Sequence, residues 1–164
     1  MRHAESETEG PLPDAAGYRF AVVVARFNQA ITSRLREGAL AALKEAGAAS
    51  EDVEVFAVPG AFELPQAARA AAELGRFDAV VCLGCVIRGA TPHFEYISAA
   101  VAHGIQDASG ETGVPMAFGV LTTDTWAQAE ERVPDGRANK GFEAAAAAIE
   151  MAVLFRRVRA DARR

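Results

Sequence analysis

The sequence lacks three features that would fix its class at once. It has no excess of positive charge: 17 basic against 22 acidic residues leave a net charge of −5, so the whole-chain balance gives no reason to expect nucleic acid as a partner. It has no long apolar run. None approaches the roughly 18 to 20 residues needed to span a bilayer, and no membrane partner is expected. It has little cysteine, only Cys82 and Cys85. These form a CxxC without the second ligand pair of a structural zinc site, which takes about four ligands. In an extended strand, side chains three apart point to opposite faces, so the spacing predicts two separate buried thiols and no metal site. The N-terminus is polar and acidic and lacks the basic-then-apolar plan of a secretory signal, which makes the cytoplasm the default location.

What remains is the composition of a folded domain, 51% hydrophobic with 24% charged residues, in a chain long enough to bury one real core. Residues 1–17, with Pro11, Pro13 and many acids, read as a flexible segment, loose or docked on a neighbour. Residues 18–159 read as a single domain and 160–164 as a basic tail. Arg156, Arg157, Arg159, Arg163 and Arg164 suit the negative end of a C-terminal helix.

Strand and helix signals alternate through the domain. Arg19–Ala25 is a continuous β-branched run, the mark of a strand covered on both faces. Ile31, Leu35, Ala39, Ala42 and Ala46 then recur at helical spacing, and Gly47 is a natural stop. Val53–Val58 predicts a second strand, followed by a helix with Pro65 in its first turn that ends near Gly75. Ala79–Leu83 predicts a third strand, followed by a helix from about Phe94 to Ala108 and a turn over Ser109–Gly113. Val114–Thr122 predicts a fourth. Thr125-Trp126-Ala127-Gln128 fits a capping box, Pro134-Asp135-Gly136 breaks that helix, and a last helix runs from about Lys140 to Arg159. Four such alternations predict an α/β fold, a three-layer α/β/α sandwich of flavodoxin-like type. Its four-stranded parallel sheet carries helices on both faces.

In sheets of this kind ligands bind outside the C-terminal ends of the strands, near a switch point. The strand exits are Arg26-Phe27-Asn28, Pro59-Gly60-Ala61-Phe62-Glu63, Arg88–His93 and Thr122-Thr123-Asp124. The stretch from Gly84 to Tyr96 concentrates the chemistry, with two glycines, a hydroxyl, an Arg, a His and an acid. A run like that before a helix can aim backbone N–H groups at an anion, with His93 beside it as a proton carrier. His103, mid-helix, and His3, in the tail, suit structural or exposed roles better. Phe27 fits either a core position or stacking on a planar ring. Glu63 fits either the positive start of its helix or acceptance of N–H bonds from a heterocycle. Arg132 and Lys140 flank the helix break, where surface charges are common, and Arg88 suits either an anion or a carboxylate partner.

Ala25-Arg26-Phe27-Asn28, Val58–Pro65, Gly84–Tyr96, Phe118-Gly119-Val120-Leu121-Thr122 and Asn139-Lys140-Gly141 resemble, in this order and spacing, the lumazine synthase family. The likeness runs from about Tyr18 to Phe155, and Arg-Gly-Ala-Thr-Pro-His-Phe-Glu-Tyr is its most specific part. The resemblance implies the penultimate step of riboflavin biosynthesis. In that step 5-amino-6-(D-ribitylamino)uracil and 3,4-dihydroxy-2-butanone 4-phosphate give 6,7-dimethyl-8-ribityllumazine, phosphate and water, without metal or organic cofactor.

It further implies residue roles. Phe27 would stack on the pyrimidine, with Asn28, Gly60, Ala61, Phe62, Glu63, Cys85, Val86 and Ile87 around the ring and ribityl chain. Gly89, Ala90, Thr91 and Arg132 would hold the phosphate and His93 would move protons. Phe118 would close the pocket from the adjacent subunit, and Lys140 matches the family pattern. The implied assembly is a pentamer with sites between neighbours, in many members a 60-subunit icosahedral shell, and riboflavin synthase is a further implied partner. Pro134-Asp135 departs from the kink of many shell-forming members. Two other readings share the fold: a receiver-type signalling domain, which wants acidic residues where Arg26-Phe27-Asn28 stand, and a non-catalytic paralogue that serves as a compartment or as a binder of flavin-like ligands.

Overall fold

The alternating signals resolve, in a computed structural model that describes residues 10–164, into four strands and five α-helices. Residues 1–9, and with them His3 and most of the acidic N-terminal segment, lie outside the described residues. The strands are β1 (Phe20–Ala25), β2 (Val53–Val58), β3 (Ala79–Ile87) and β4 (Met116–Thr123); the helices are α1 (Gln29–Glu45), α2 (Leu64–Glu73), α3 (His93–Thr112), α4 (Trp126–Glu130) and α5 (Lys140–Ala162). All strand pairs are parallel, in the order β2-β1-β3-β4. Val22 faces Val55 on one side and Val81 on the other. Every residue of β1 is buried, as are Ala79 to Cys85 of β3. That is what two-sided cover demands and why these strands carry continuous apolar runs.

The two faces bury separate cores. Beneath α1 and α5, Phe20, Val22, Leu35, Leu43, Leu83 and Ile149 pack together. Beneath α2 and α3, Val23, Val58, Leu64, Val80, Val101 and Ile105 do the same. The small residues of α5 let it approach closely. A Cβ on Gly141 would lie 1.9 Å from the carbonyl oxygen of Leu35, so the two helices touch backbone to side-chain-free backbone there. Asn139, buried, locks the same crossing. Its Oδ1 accepts from the N–H of Gly141 at 2.8 Å, and its Nδ2 donates to the carbonyls of Arg34 at 3.0 Å and Pro134 at 3.1 Å. Removing that amide would orphan several buried backbone groups at about 1–3 kcal/mol each.

Several boundaries differ from expectation. β3 continues four residues past Leu83, because β4 runs beside it and pairs it from Gly84↔Val120 to Ile87↔Thr123. The chemistry-rich stretch therefore begins as strand. α3 starts at His93 and passes through the expected turn to Thr112, stopping where Gly113 takes a φ of 70°. Gly47, with φ 91°, ends α1 as expected. The C-terminal residues do not form a separate tail, since α5 extends into them as far as Ala162. The described part of the N-terminal segment is not loose either: Ala15 is fully buried and its N–H donates to Ala46 O at 2.8 Å.

Candidate active site

The reversal of winding direction at β1 leaves a crevice between the ends of β1 and β3, and a cleft of about 430 Å³ opens there, within the range of small-molecule sites. Three strand exits build its walls. Phe27 comes from β1; Gly60, Ala61, Phe62 and Glu63 come from β2; Cys85, Val86, Ile87, Gly89, Thr91 and His93 come from β3 and the loop beyond it. Phe94 and Ile97, on the first turns of α3, complete the lining. Sequence reasoning passed over these two, although residues 93, 94 and 97 share one helix face.

Local chemistry explains each position. Phe27 is 71% exposed in the single chain, so its ring is available to a planar ligand and is no part of the core. Asn28 adopts φ 61°, the one non-glycine residue in the left-handed region among those described. Its Nδ2 donates to Cys85 O at 2.9 Å, which ties the β1 exit to β3. Its side chain therefore shapes the cleft from outside and does not line it. Glu63 is held at the start of its helix and also faces the cleft. One carboxylate oxygen accepts from Gly60 N–H at 3.0 Å, and the residue still lines the cleft. Burial pushes the Cys85 thiol up to about 11 and the Cys82 thiol to about 12, so both are neutral, unreactive side chains at physiological pH.

The loop from Arg88 to Pro92 has the features of an anion cradle. The N–H groups of Gly89, Ala90 and Thr91 have no acceptor among the described residues. The 20-residue α3 that follows has Pro92 at its N-cap and no side-chain cap, leaving its first N–H groups and dipole open to a ligand. Gly89 and Thr91 line the cleft, whereas Ala90 does not. His93 is the first residue of that helix and is exposed. Arg88 is committed to carboxylates: its Nε donates to Asp124 at 2.7 Å, and Nη1 pairs with Glu95.

Three expected site residues lie elsewhere in the chain. Phe118, Arg132 and Lys140 line a second concavity of about 380 Å³ between β4 and α5. Arg132 Nη1 donates to Gln128 O at 2.7 Å, and Lys140 Nζ pairs with Glu143 at 2.7 Å. The N-cap of α4 sets this wall: Thr125 Oγ1 accepts from Gln128 N–H at 3.2 Å, while the Gln128 amide oxygen takes Asp124 N–H at 2.8 Å. No group of three or more potential metal ligands occurs among the described residues, and none of their helices is long and apolar enough to cross a membrane.

An α/β sheet with an apolar crevice at its switch point and open N–H donors beside it is the arrangement of a small-molecule binding site. Comparison with known proteins names the family. The sequence model of 6,7-dimethyl-8-ribityllumazine synthase matches residues 17–156. A 6,7-dimethyl-8-ribityllumazine synthase from Syntrophus aciditrophicus (strain SB) is 58% identical over 151 residues, covering 92% of this chain and 97% of that one. The chain belongs to the 6,7-dimethyl-8-ribityllumazine synthase family, and it is a transferase of that family.

Proposed function

We propose that the chain condenses 5-amino-6-(D-ribitylamino)uracil with 3,4-dihydroxy-2-butanone 4-phosphate, releasing phosphate and water and forming 6,7-dimethyl-8-ribityllumazine for riboflavin biosynthesis in the cytoplasm. The observation that carries this reading is one cleft that joins a stacking ring, Phe27, to an unoccupied set of backbone donors with His93 beside them. The pyrimidine stacks on Phe27 and bonds the remaining oxygen of Glu63 and the Gly60–Phe62 backbone. Val86 and Ile87 flank the ribityl chain. The phosphate lies against Gly89, Ala90, Thr91 and the start of α3. His93 relays protons as the amine adds to the ketone, water leaves and phosphate is expelled. Because the amine is already a nucleophile and phosphate a competent leaving group, most of the rate comes from holding two substrates in register.

The second concavity completes a neighbour's cleft. Arg132 supplies a planar cation to the phosphate, Phe118 closes over the ring, and Lys140 adds charge at the rim. Two features support this assembly. β4 is an edge strand whose Phe118 is 47% exposed. On α5, Ala147, Met151, Leu154 and Val158 form an exposed apolar stripe at 4-3-4 spacing, the pattern of a helix seam. Five copies packed through that seam make a ring with sites between neighbours. Pro134-Asp135 in the loop before α5 departs from the kink of many shell-forming members, which bears on the shell and not on the pentamer, and a shell-bound riboflavin synthase is a partner only if the shell forms.

The test is a mixture of purified protein and both substrates, with lumazine followed by absorbance and fluorescence against a control without protein. Saturable acceleration that vanishes when the butanone lacks its phosphate is expected. Tight lumazine binding without turnover, from folded oligomer, would instead identify a non-catalytic flavin-type binder.

A further inference from the structure

The cradle loop has to keep its N–H groups free for a ligand, so it cannot be shaped by hydrogen bonds of its own. Something outside the loop must hold it. Arg88, the residue that opens it, does so through four contacts. Its N–H donates to Thr123 O at 2.8 Å. Its Nε donates to Asp124 at 2.7 Å, and its Nη1 pairs with Glu95 in the first turn of α3. Its guanidinium lies 4.4 Å from the ring centre of Phe94, which lines the cleft. One side chain thus ties both ends of the loop, residues 88 and 93–95, to the end of β4.

We infer that Arg88 is the positioning residue for the phosphate cradle, acting through Asp124 and Glu95 and not as an anion ligand. The inference rests on the proposal that the loop binds the substrate phosphate. Charge excludes the direct role: one guanidinium between two carboxylates leaves a net charge of −1, which repels an incoming phosphate. Single exposed ion pairs contribute little, but a forked cation held by two acids and an aromatic face is a network with fixed geometry. Among the described residues, no other side chain hydrogen-bonds to both the β4 end and the α3 start.

The test measures KM for each substrate separately. Arg88→Ala is expected to raise KM for the phosphate substrate about fivefold, in keeping with the modest strength of exposed pairs, with KM for the pyrimidine changed less than about twofold. Arg88→Lys, which keeps the charge but loses the fork, should resemble Arg88→Ala. Glu95→Gln with Asp124→Asn should also raise that KM, and adding Arg88→Ala to this pair should raise it no further. A direct ligand predicts the reverse: neutralising the two acids would free the cation and lower KM, and Lys would retain function. Equal changes in both KM values, or none, would reduce Arg88 to a surface ion pair and overturn the inference. Thr91→Ala serves as the separate control. If it too leaves the phosphate KM unchanged, and inorganic phosphate fails to compete, the cradle reading falls before the role of Arg88 is reached.

Discussion

The two concavities that carry the candidate residues are built on opposite principles. The cleft at the ends of β1, β2 and β3 is largely self-made: its lining is mostly apolar, three loop N–H groups beside it have no acceptor among the described residues, and Glu63 is braced by the Gly60 N–H. The surface between β4 and α5 is unfinished. Arg132 donates to a carbonyl at 2.7 Å, Lys140 is held by Glu143, and Phe118 stands out from an edge strand. The first offers open donors to a small molecule; the second keeps its two cations on partners within the same chain. In the proposed assembly, a chain that carries both lends the second surface to a neighbour and uses the first with that neighbour's help.

The sharpest way to break this comparison is to damage each surface in a different subunit. Glu63→Ala/His93→Ala and Arg132→Ala proteins, each nearly inactive at low phosphate substrate, are expected to recover about one quarter of native activity when co-assembled from a denatured equimolar mixture. A random ring restores one interface in four. No recovery in verified mixed oligomers would place both surfaces in one subunit's site. Next in size, Arg132→Ala should raise KM for the phosphate substrate by about thirtyfold, the loss of roughly 2 kcal/mol from a charged hydrogen bond, while steady-state kinetics show little change in KM for the pyrimidine. An unchanged phosphate KM would leave the second surface with a structural role only.

His93→Ala should slow turnover about tenfold, below the hundredfold or more usual for general acid–base catalysis, because positioning supplies most of the rate. Complete inactivity in a folded variant that still binds substrate would transfer that share to the imidazole. The smallest expected effect is acid sensitivity at the cradle. Hydrogen bonding to Arg88 holds the Glu95 carboxyl below its ordinary value. The associated stability is present above the unfolded carboxylate pKa and is lost as pH falls through the depressed folded value. Melting temperatures of native and Glu95→Gln protein should therefore converge only on the acid side of the ordinary carboxylate range. Convergence at neutral pH would show the pair to be idle.

The sequence was most legible where one element decided its own fate. β1 is a buried apolar run and β2 a valine-rich one, each with a clear stop, Gly47 ends α1, and Pro65 sits in the first turn of α2. It was least legible where a neighbour decided. Gly84 reads as a strand breaker, yet pairing with Val120 carries β3 through it. Ser109-Gly110 reads as a turn, yet Ser109 Oγ donates to Val114 O at 2.8 Å and the helix runs on. The cleft residues Phe27, Glu63, Thr91 and His93 converge because strand exits must converge in a parallel sheet. No local pattern could show that Asn28 would turn its amide onto Cys85, or that Arg132 would open onto a different face.

The divergence of Cys82 and Cys85 has a practical outcome. One thiol is buried with the layer under α2 and α3, the other with the layer under α1 and α5, and burial raises the pKa of both, which keeps the reactive thiolate scarce while the layers are closed. With one of the two replaced by alanine, the survivor becomes a chemical clock for the opening of a single layer. Run in parallel at rising denaturant, the two clocks would read out whether the helices on opposite sides of the sheet peel away together or in sequence, with no label or dye added to the fold.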